Sequence, residues 1–263
     1  MRRWMSLSII AVVVTSAAVA QDARLKRLNT TNDGRVWEAV GRLDIGGSGF
    51  CTGALIAPDI VLTAAHCLFD KQTLKRIDYE TVEFLAGWRN GRASAYRNVK
   101  QAVVHPDYRF DGNVSSERVR NDLALLELDR PIRNTTVRPF ATAARPRKGD
   151  DVGVVSYAKE RSEAPSLQEV CKVLARQEGV LVTTCSVDFG SSGAPIFSFK
   201  DGAPQIVSVV SAKAEVDGEK VSLGTALGGP LELLRAELIA AKEASRVRVD
   251  GVRNDTGAKF IKP

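Results

Sequence analysis

The chain has 263 residues, a formal net charge of +6, four cysteines and two histidines. The charge excess is modest, and the basic stretches at 145–148 and from residue 246 onward lack the interleaved aromatic residues of a nucleic-acid surface, which argues against nucleic-acid binding. The sequence has no CxxC pair and only two histidines, which argues against a zinc site, and we expect no metal.

The first 20 residues have the features of a signal peptide. Arg2 and Arg3 precede an apolar run over 5–14, and the segment closes on small residues at 18–20. A segment of this kind directs export and is then removed. Because no later segment is long and apolar enough to cross a bilayer, we expect a protein exported to the periplasm or the cell exterior, without a membrane anchor.

The four cysteines form two local pairs, Cys51 with Cys67 and Cys171 with Cys185. An even number of cysteines in an exported protein favours disulfides over metal ligands. Each bridge would close a loop of moderate length and would stabilise the fold by about 3 kcal/mol in the chain-entropy model.

Residues 21–35 are an N-terminal segment and a candidate propeptide. Within this segment, Lys26-Arg27 is either a processing site or an exposed basic dipeptide. From residue 36 onward, short apolar segments alternate with Gly, Pro, Asn and Asp turn signals, which predicts two groups of six β-strands. The first group, within 36–134, comprises 36–43, 50–56, 60–65, 81–85, 98–104 and 122–128. The second group, within 135–230, comprises 151–157, 166–173, 180–184, 195–198, 205–213 and 221–227.

The last part of the sequence has a helical pattern. Residues 231–244 place three leucines and Ala241 at three- and four-residue intervals, with a proline at the start. This spacing predicts an amphipathic helix, which we expect to pack on the second β-unit. Residues 245–263 are polar and basic, and we expect them to form a loosely ordered tail.

Three motifs carry the residue types that acyl transfer by serine requires, namely a hydroxyl, a base beside it and a group that orients the base. His66 lies in Thr-Ala-Ala-His-Cys at the end of a strand rich in β-branched residues. Asp122 lies in Asn-Asp-Leu-Ala-Leu-Leu, directly before an apolar strand. Ser192 lies in the glycine-flanked turn Phe-Gly-Ser-Ser-Gly-Ala-Pro. Together they indicate a candidate catalytic triad.

In the order histidine, aspartate, serine, these motifs resemble those of the chymotrypsin-like (trypsin-like) serine proteases, whereas in the α/β hydrolases the serine comes first. The resemblance implies an all-β fold of two six-stranded antiparallel β-barrels with a C-terminal helix. It also implies a triad of His66, Asp122 and Ser192, and an oxyanion hole formed by the backbone N–H groups of Gly190 and Ser192. No metal or organic cofactor is implied.

The residue before the candidate nucleophile indicates which branch of this family the chain resembles. Ser191 stands where animal digestive members carry an aspartate, which receives the newly freed N-terminus on activation. A serine cannot form that ion pair, and a neutral residue here is similar to the bacterial V8-like glutamyl endopeptidase branch. The other histidine, His105, lies in a segment that the family uses as a structural turn, so we assign it no catalytic role.

The resemblance also gives a specificity pocket. It places the floor at Ser186 beside Val187, and one wall at Ser208, Val209 and Val210. Ser186 supplies no carboxylate for an arginine or lysine, and no histidine is available to bind a glutamate. We therefore predict a small or medium apolar residue before the scissile bond.

The function that follows is an exported serine endopeptidase, a hydrolase that acts as a monomer on protein or peptide substrates through an acyl-enzyme. The alternative is a protease fold kept as a non-catalytic binding protein. The usual sign of such a protein is the loss of a triad residue, and this sequence keeps all three.

Overall fold

The computed structural model describes residues 25–47, 49–143, 146–200, 202–216 and 218–253, with side chains described as far as residue 244. The predicted signal peptide at 1–20 lies outside the described residues, as does the end of the predicted tail at 254–263.

The described chain begins with a short strand that the sequence analysis did not predict. Strand β1 (Lys26–Arg27) pairs antiparallel with a strand of the second barrel, opposite Leu167 and Ser166. Both side chains of β1 are exposed, whereas the next residue, Leu28, is buried in the core. Helix α1 (Thr31–Gly34) follows, and the side chain of Thr30 caps its first turn.

The first barrel closes from six antiparallel strands. The strands are β2 (Val40–Ile45), β3 (Phe50–Ala57), β4 (Ile60–Thr63), β5 (Val82–Ala86), β6 (Ala95–Val104) and β7 (Ala124–Leu128). Their order around the barrel is β2-β3-β4-β7-β6-β5. Helix α2 (Ser116–Arg120) precedes β7. The strands form here because β-branched and leucine side chains on the inward face meet in one buried core.

The second barrel closes in the same way. Its strands are β8 (Asp151–Ser156), β9 (Ser166–Gln177), β10 (Val180–Thr183), β11 (Pro195–Ser198), β12 (Gln205–Val216) and β13 (Glu219–Ala226). Pairing of β8 with β9 completes the ring. The β9–β10 turn consists of Glu178 and Gly179, both with positive φ, as a two-residue hairpin requires. The predicted all-β fold of two six-stranded antiparallel barrels with a C-terminal helix is confirmed.

The first strand begins later than predicted. The expected strand at 36–43 starts at Val40, because Arg35–Trp37 forms a 3₁₀ turn. That turn directs Trp37 into the core, where its ring lies 5.0 Å from the ring of Phe197 and 6.0 Å from that of Phe140. An aromatic cluster therefore replaces the first residues of the predicted strand.

The C-terminal helix is longer than predicted and packs elsewhere. Helix α3 (Gly228–Arg253) extends nine residues into the segment predicted as a loose tail. It packs on β6 and β7, so the prediction that it packs on the second barrel is wrong. The leucines at the predicted positions join the core there, and Lys242 pairs with Glu127 of β7 at 3.2 Å. Within the described residues, no helix has the length and apolarity of a membrane span.

Candidate active site

The barrel topology brings His66 and Asp122 together. His66 lies in a 3₁₀ turn directly after β4, and Asp122 lies directly before β7. Because β4 and β7 are antiparallel neighbours, with Thr63 opposite Ala124, the end of one strand meets the start of the other. The Cys51–Cys67 disulfide ties the histidine turn back to β3.

The Asp122 carboxylate fixes both the backbone and the ring of His66. Oδ1 accepts the backbone N–H of His66 at 2.8 Å, and Oδ2 lies 2.7 Å from Nδ1. Since an ionised carboxylate can only accept hydrogen bonds, the Nδ1 position carries the proton. The Nε2 atom is therefore left as a base, and His66 lines the cleft between the barrels.

Asp122 is buried, with 1% of its surface exposed, and residues of the second barrel contact it as well. The Ser211 hydroxyl donates to Oδ2 at 2.5 Å. The Thr225 hydroxyl also contacts the backbone carbonyl of Asp122 at 3.2 Å. A buried carboxylate needs such partners to stay charged. Sequence reasoning missed Ser211. The pairing of β12 with β13 is irregular at this residue, between Val210 and Ala212, as at a β-bulge.

The two adjacent serines have different surroundings. Ser191 is fully buried, and its hydroxyl bonds to Ser156 Oγ at 3.0 Å and to the Tyr157 carbonyl at 3.3 Å. Ser192 lines the same two cavities as His66. No hydrogen bond joins the described side chains of Ser192 and His66, and such contacts commonly tighten only when substrate binds. Of the two hydroxyls, Ser192 is the one that a substrate can reach.

Hydrogen bonds to the rest of the protein fix two carbonyl groups of the loop before Ser192. Gly190 O accepts a hydrogen bond from the Thr52 hydroxyl, and Phe189 O accepts one from Lys159 N, each at 2.8 Å. In a trans peptide the N–H points opposite to the carbonyl, so the Gly190 N–H points away from Lys159. In the described part of the chain, neither the Gly190 nor the Ser192 N–H has a protein acceptor. These two donors, two positions apart along the chain, are thus available to an acceptor on a bound molecule.

Glycine is required at position 190. Its φ is +95°, a conformation that other residues rarely adopt. A Cβ atom there would also lie 2.4 Å from the Phe50 ring and 3.1 Å from the backbone of Ala158. Any side chain would therefore distort the loop that presents the two free N–H groups.

The cleft contains two cavities that meet at His66 and Ser192. One has a volume of 380 Å³ and the other contacts the Cys51–Cys67 bridge. The part of the first cavity that the second barrel forms is called the specificity cavity below. It is lined by Val187, Asp188, Phe189, Val210, Ser211, Ala212 and Lys213, whereas Lys71 and Arg118 line the part that the first barrel forms.

The structure brings only some of the predicted pocket residues to this cavity. Val187 and Val210 line it, whereas Ser208 and Val209 are fully buried and Ser208 donates to the Thr225 carbonyl at 2.8 Å. Ser186 is exposed and lies outside the lining. The wall consists of the next residues along β12, because the chain reaches the cleft only at the irregularity around Ser211.

All four cysteines are paired as predicted, and the described residues include no free cysteine. The sulfur atoms of Cys51 and Cys67 lie within 4.8 Å of a His66 ring nitrogen, an arrangement that could resemble a metal site. However, metal binding by cysteine needs the thiolate, and both sulfur atoms are committed to the disulfide. These residues therefore do not fit a metal centre.

His105 is held in its turn as a neutral side chain. It is 7% exposed, and its Nδ1 atom accepts the Asp107 backbone N–H at 3.3 Å. Burial lowers the pKa of His105, with Asp107 acting in the opposite direction. Because the unfolded chain then binds a proton at a higher pH than the folded chain does, this group destabilises the fold in acid.

We expect the free energy of unfolding to fall as the pH drops below about 6.5, the pKa of a free histidine. A His105→Gln variant should lack this part of the dependence, because glutamine does not titrate. Urea unfolding of both proteins between neutral and mildly acidic pH measures the difference. Parallel curves for the two proteins would show that His105 does not contribute.

The chain is similar to known proteins in sequence and in fold. The family model described as Trypsin matches residues 29–225. The Modular serine protease of Drosophila melanogaster is 35% identical over 125 residues, 45% of this chain and 18% of that protein. A Trypsin of Phaedon cochleariae is 36% identical over 92 residues, 34% of this chain and 32% of that protein.

The Glutamyl endopeptidase of Bacillus licheniformis is 26% identical over 150 residues, 57% of this chain and 45% of that protein. The matched segments thus span less than half of each of these three relatives. A solved structure of Glu endopeptidase in complex with MPD has a TM-score of 0.65 at 19% identity, covering 81% of this chain and 95% of that chain. This likeness shows a shared fold.

Proposed function

This chain belongs to the trypsin family of serine proteases, and we propose that it is an exported endopeptidase near the V8-like glutamyl endopeptidase branch, with a catalytic triad of His66, Asp122 and Ser192. One observation carries the proposal. The buried Asp122 carboxylate fixes the His66 ring through Nδ1, and His66 lines the same two cavities as the accessible Ser192 hydroxyl.

In the proposed first half-reaction, Ser192 Oγ attacks the carbonyl carbon of the scissile peptide bond. Rotation about the Ser192 side chain brings the hydroxyl to His66 Nε2, which takes its proton. The carbonyl oxygen becomes an oxyanion and accepts hydrogen bonds from the N–H groups of Gly190 and Ser192. His66 then protonates the leaving amine, which departs and leaves an acyl group on Ser192.

In the second half-reaction, a water molecule takes the place of the leaving amine. His66 removes a proton from this water as it attacks the acyl carbon, and the same two N–H groups hold the second oxyanion. His66 then returns a proton to Ser192 Oγ, and the acid product leaves. Throughout, Asp122 keeps the ring oriented, and the Ser211 hydroxyl donates to the same carboxylate oxygen that faces the ring.

The specificity cavity supports an uncharged residue before the scissile bond. Val187, Val210 and Ala212 give it apolar walls, which favour small or medium apolar side chains. The two disulfides indicate that the protein works in an oxidising environment. They support export to the periplasm or the cell exterior, directed by residues 1–20.

A fluorophosphonate probe tests the proposed nucleophile. We expect the folded protein to be labelled stoichiometrically, with the modified peptide mapped to Ser192 by mass spectrometry, because only an activated serine reacts at a useful rate. Protein unfolded in urea is the control, since it keeps every serine but loses the arrangement around Ser192. Labelling of Ser191, or no labelling of the folded protein, would contradict the proposed mechanism.

A further inference from the structure

Two opposite charges face each other in the specificity cavity. Lys213 Nζ lies 3.2 Å from Asp188 Oδ1, and both side chains line the cavity and are about half exposed. They come from different segments of the second barrel, since Asp188 belongs to the loop before Ser192 and Lys213 to β12. The pair therefore joins the two sides of the cavity.

Neighbouring contacts hold each partner in place. Asp188 Oδ1 accepts the Phe189 backbone N–H at 2.8 Å. This hydrogen bond is the main cause that lowers the pKa of Asp188, followed by Lys213 and Arg161, so Asp188 is charged near neutral pH. Lys213 Nζ also lies 4.6 Å from the centre of the Phe189 ring, within cation–π distance.

Apart from this pair, the walls of the specificity cavity are uncharged, being formed by Val187, Phe189, Val210, Ser211 and Ala212. Asp188 alone would attract a basic side chain, and Lys213 alone an acidic one. Because they neutralise each other, the specificity cavity carries no net charge of its own, while Lys71 and Arg118 line the part of the cleft cavity that the first barrel forms. We propose, on the basis of the proposed endopeptidase function, that the Asp188–Lys213 pair determines specificity and keeps the enzyme selective for peptides with an uncharged residue before the scissile bond.

The pair disfavours basic and acidic substrate side chains for the same electrostatic reason. An arginine or lysine entering the cavity has to compete with Lys213 for Asp188, and it meets the repulsion of a like charge. An aspartate or glutamate has to compete with Asp188 for Lys213, and the Asp188 carboxylate repels it. An uncharged side chain leaves the pair intact. Partly exposed ion pairs contribute little to stability, so either partner can be changed without unfolding the protein.

Two single variants and their combination test the proposal. Lys213→Gln removes the cation and leaves Asp188 unpaired, while Asp188→Asn removes the anion and keeps an acceptor for the Phe189 N–H. The substrates are peptides that differ only in leucine, arginine or glutamate before the scissile bond. The measured quantity is the ratio of kcat/KM for each charged peptide to that for the leucine peptide.

We expect Lys213→Gln to raise the ratio of kcat/KM for the arginine peptide to that for the leucine peptide at least about tenfold. This factor corresponds to the smallest free energy typical of one hydrogen bond to a charged group. Asp188→Asn should raise the glutamate ratio to a similar extent, and the double variant should return both ratios towards those of the wild type. Lys172→Gln is the matched control, because it breaks a surface ion pair with Asp151 of comparable exposure outside the cleft. It should leave both ratios unchanged.

The outcomes separate the inference from the function on which it rests. If the wild type reacts with the fluorophosphonate and cleaves the peptides, but neither single variant moves its ratio, the inference is refuted and the endopeptidase function stands. A wild type that prefers arginine or glutamate would also refute the inference. If the wild type neither cleaves any peptide nor reacts with the probe, the proposed function itself fails.

Discussion

Replacing Ser192 with alanine is expected to lower kcat for peptide hydrolysis by about a millionfold, the loss found when the nucleophile of a serine protease is removed. The change removes the attacking oxygen but not the free N–H groups of Gly190 and Ser192. A residual rate about a thousandfold above the uncatalysed reaction should therefore remain. Steady-state hydrolysis with the leucine peptide measures both quantities.

Ser191→Ala is the matched control for this prediction, because it removes a hydroxyl from the adjacent position of the same loop. The loss of its hydrogen bonds to Ser156 and Tyr157 should cost about 1–3 kcal/mol of stability, as expected when buried partners are left unpaired. The Ser191→Ala protein should still react with the probe. If instead this variant is inactive while Ser192→Ala retains full activity, the assignment of the nucleophile is reversed.

Asp122→Asn is expected to lower kcat about ten-thousandfold, the loss that this substitution causes in a serine-protease triad. The His66 backbone N–H can only donate, so the amide oxygen should occupy the Oδ1 position. The amide nitrogen then faces Nδ1 and donates to it. This forces the ring proton onto Nε2, where it prevents His66 from accepting the proton of Ser192.

The measurement for Asp122→Asn combines kcat with thermal unfolding, because a buried site also contributes to stability. A shift in melting temperature of a few degrees with the full loss of kcat supports a change of tautomer. Full activity in the variant, with the fold intact, would show that Asp122 does not orient His66. A protein that unfolds at room temperature is distinguished by its circular dichroism, and Asp122→Glu then provides a second variant that keeps the charge.

The sequence predicted the barrels and the triad because both depend on local patterns. The strands were recognised from short apolar segments between turn residues, and most of their ends agree with the structure to within three residues. His66 and Asp122 lie at strand ends that are adjacent in the barrel, so a correct fold brings them together. The contact between His66 and Asp122 is present in the structure, whereas the role of Ser192 stays a prediction.

The features that were missed depend on contacts between distant residues. Strand β1 has only two residues and forms through pairing with Leu167 and Ser166, far along the chain. The wall of the specificity cavity was placed too early on β12, because counting along a strand does not reveal the irregularity near Ser211. Helix α3 continues through 245–253, where valine, serine, aspartate and glycine, all weaker helix formers, outnumber the three arginines, so the local sequence did not predict this extension.

The neutral Ser191 has a consequence for maturation. Phe189, Gly190 and Ser191 are held by uncharged partners already inside the folded chain, namely the Lys159 amide, Thr52 and Ser156. None of these three contacts needs a newly freed N-terminal ammonium group. We therefore expect the loop around Ser192 to reach its shape whether or not the chain ahead of Leu28 is trimmed.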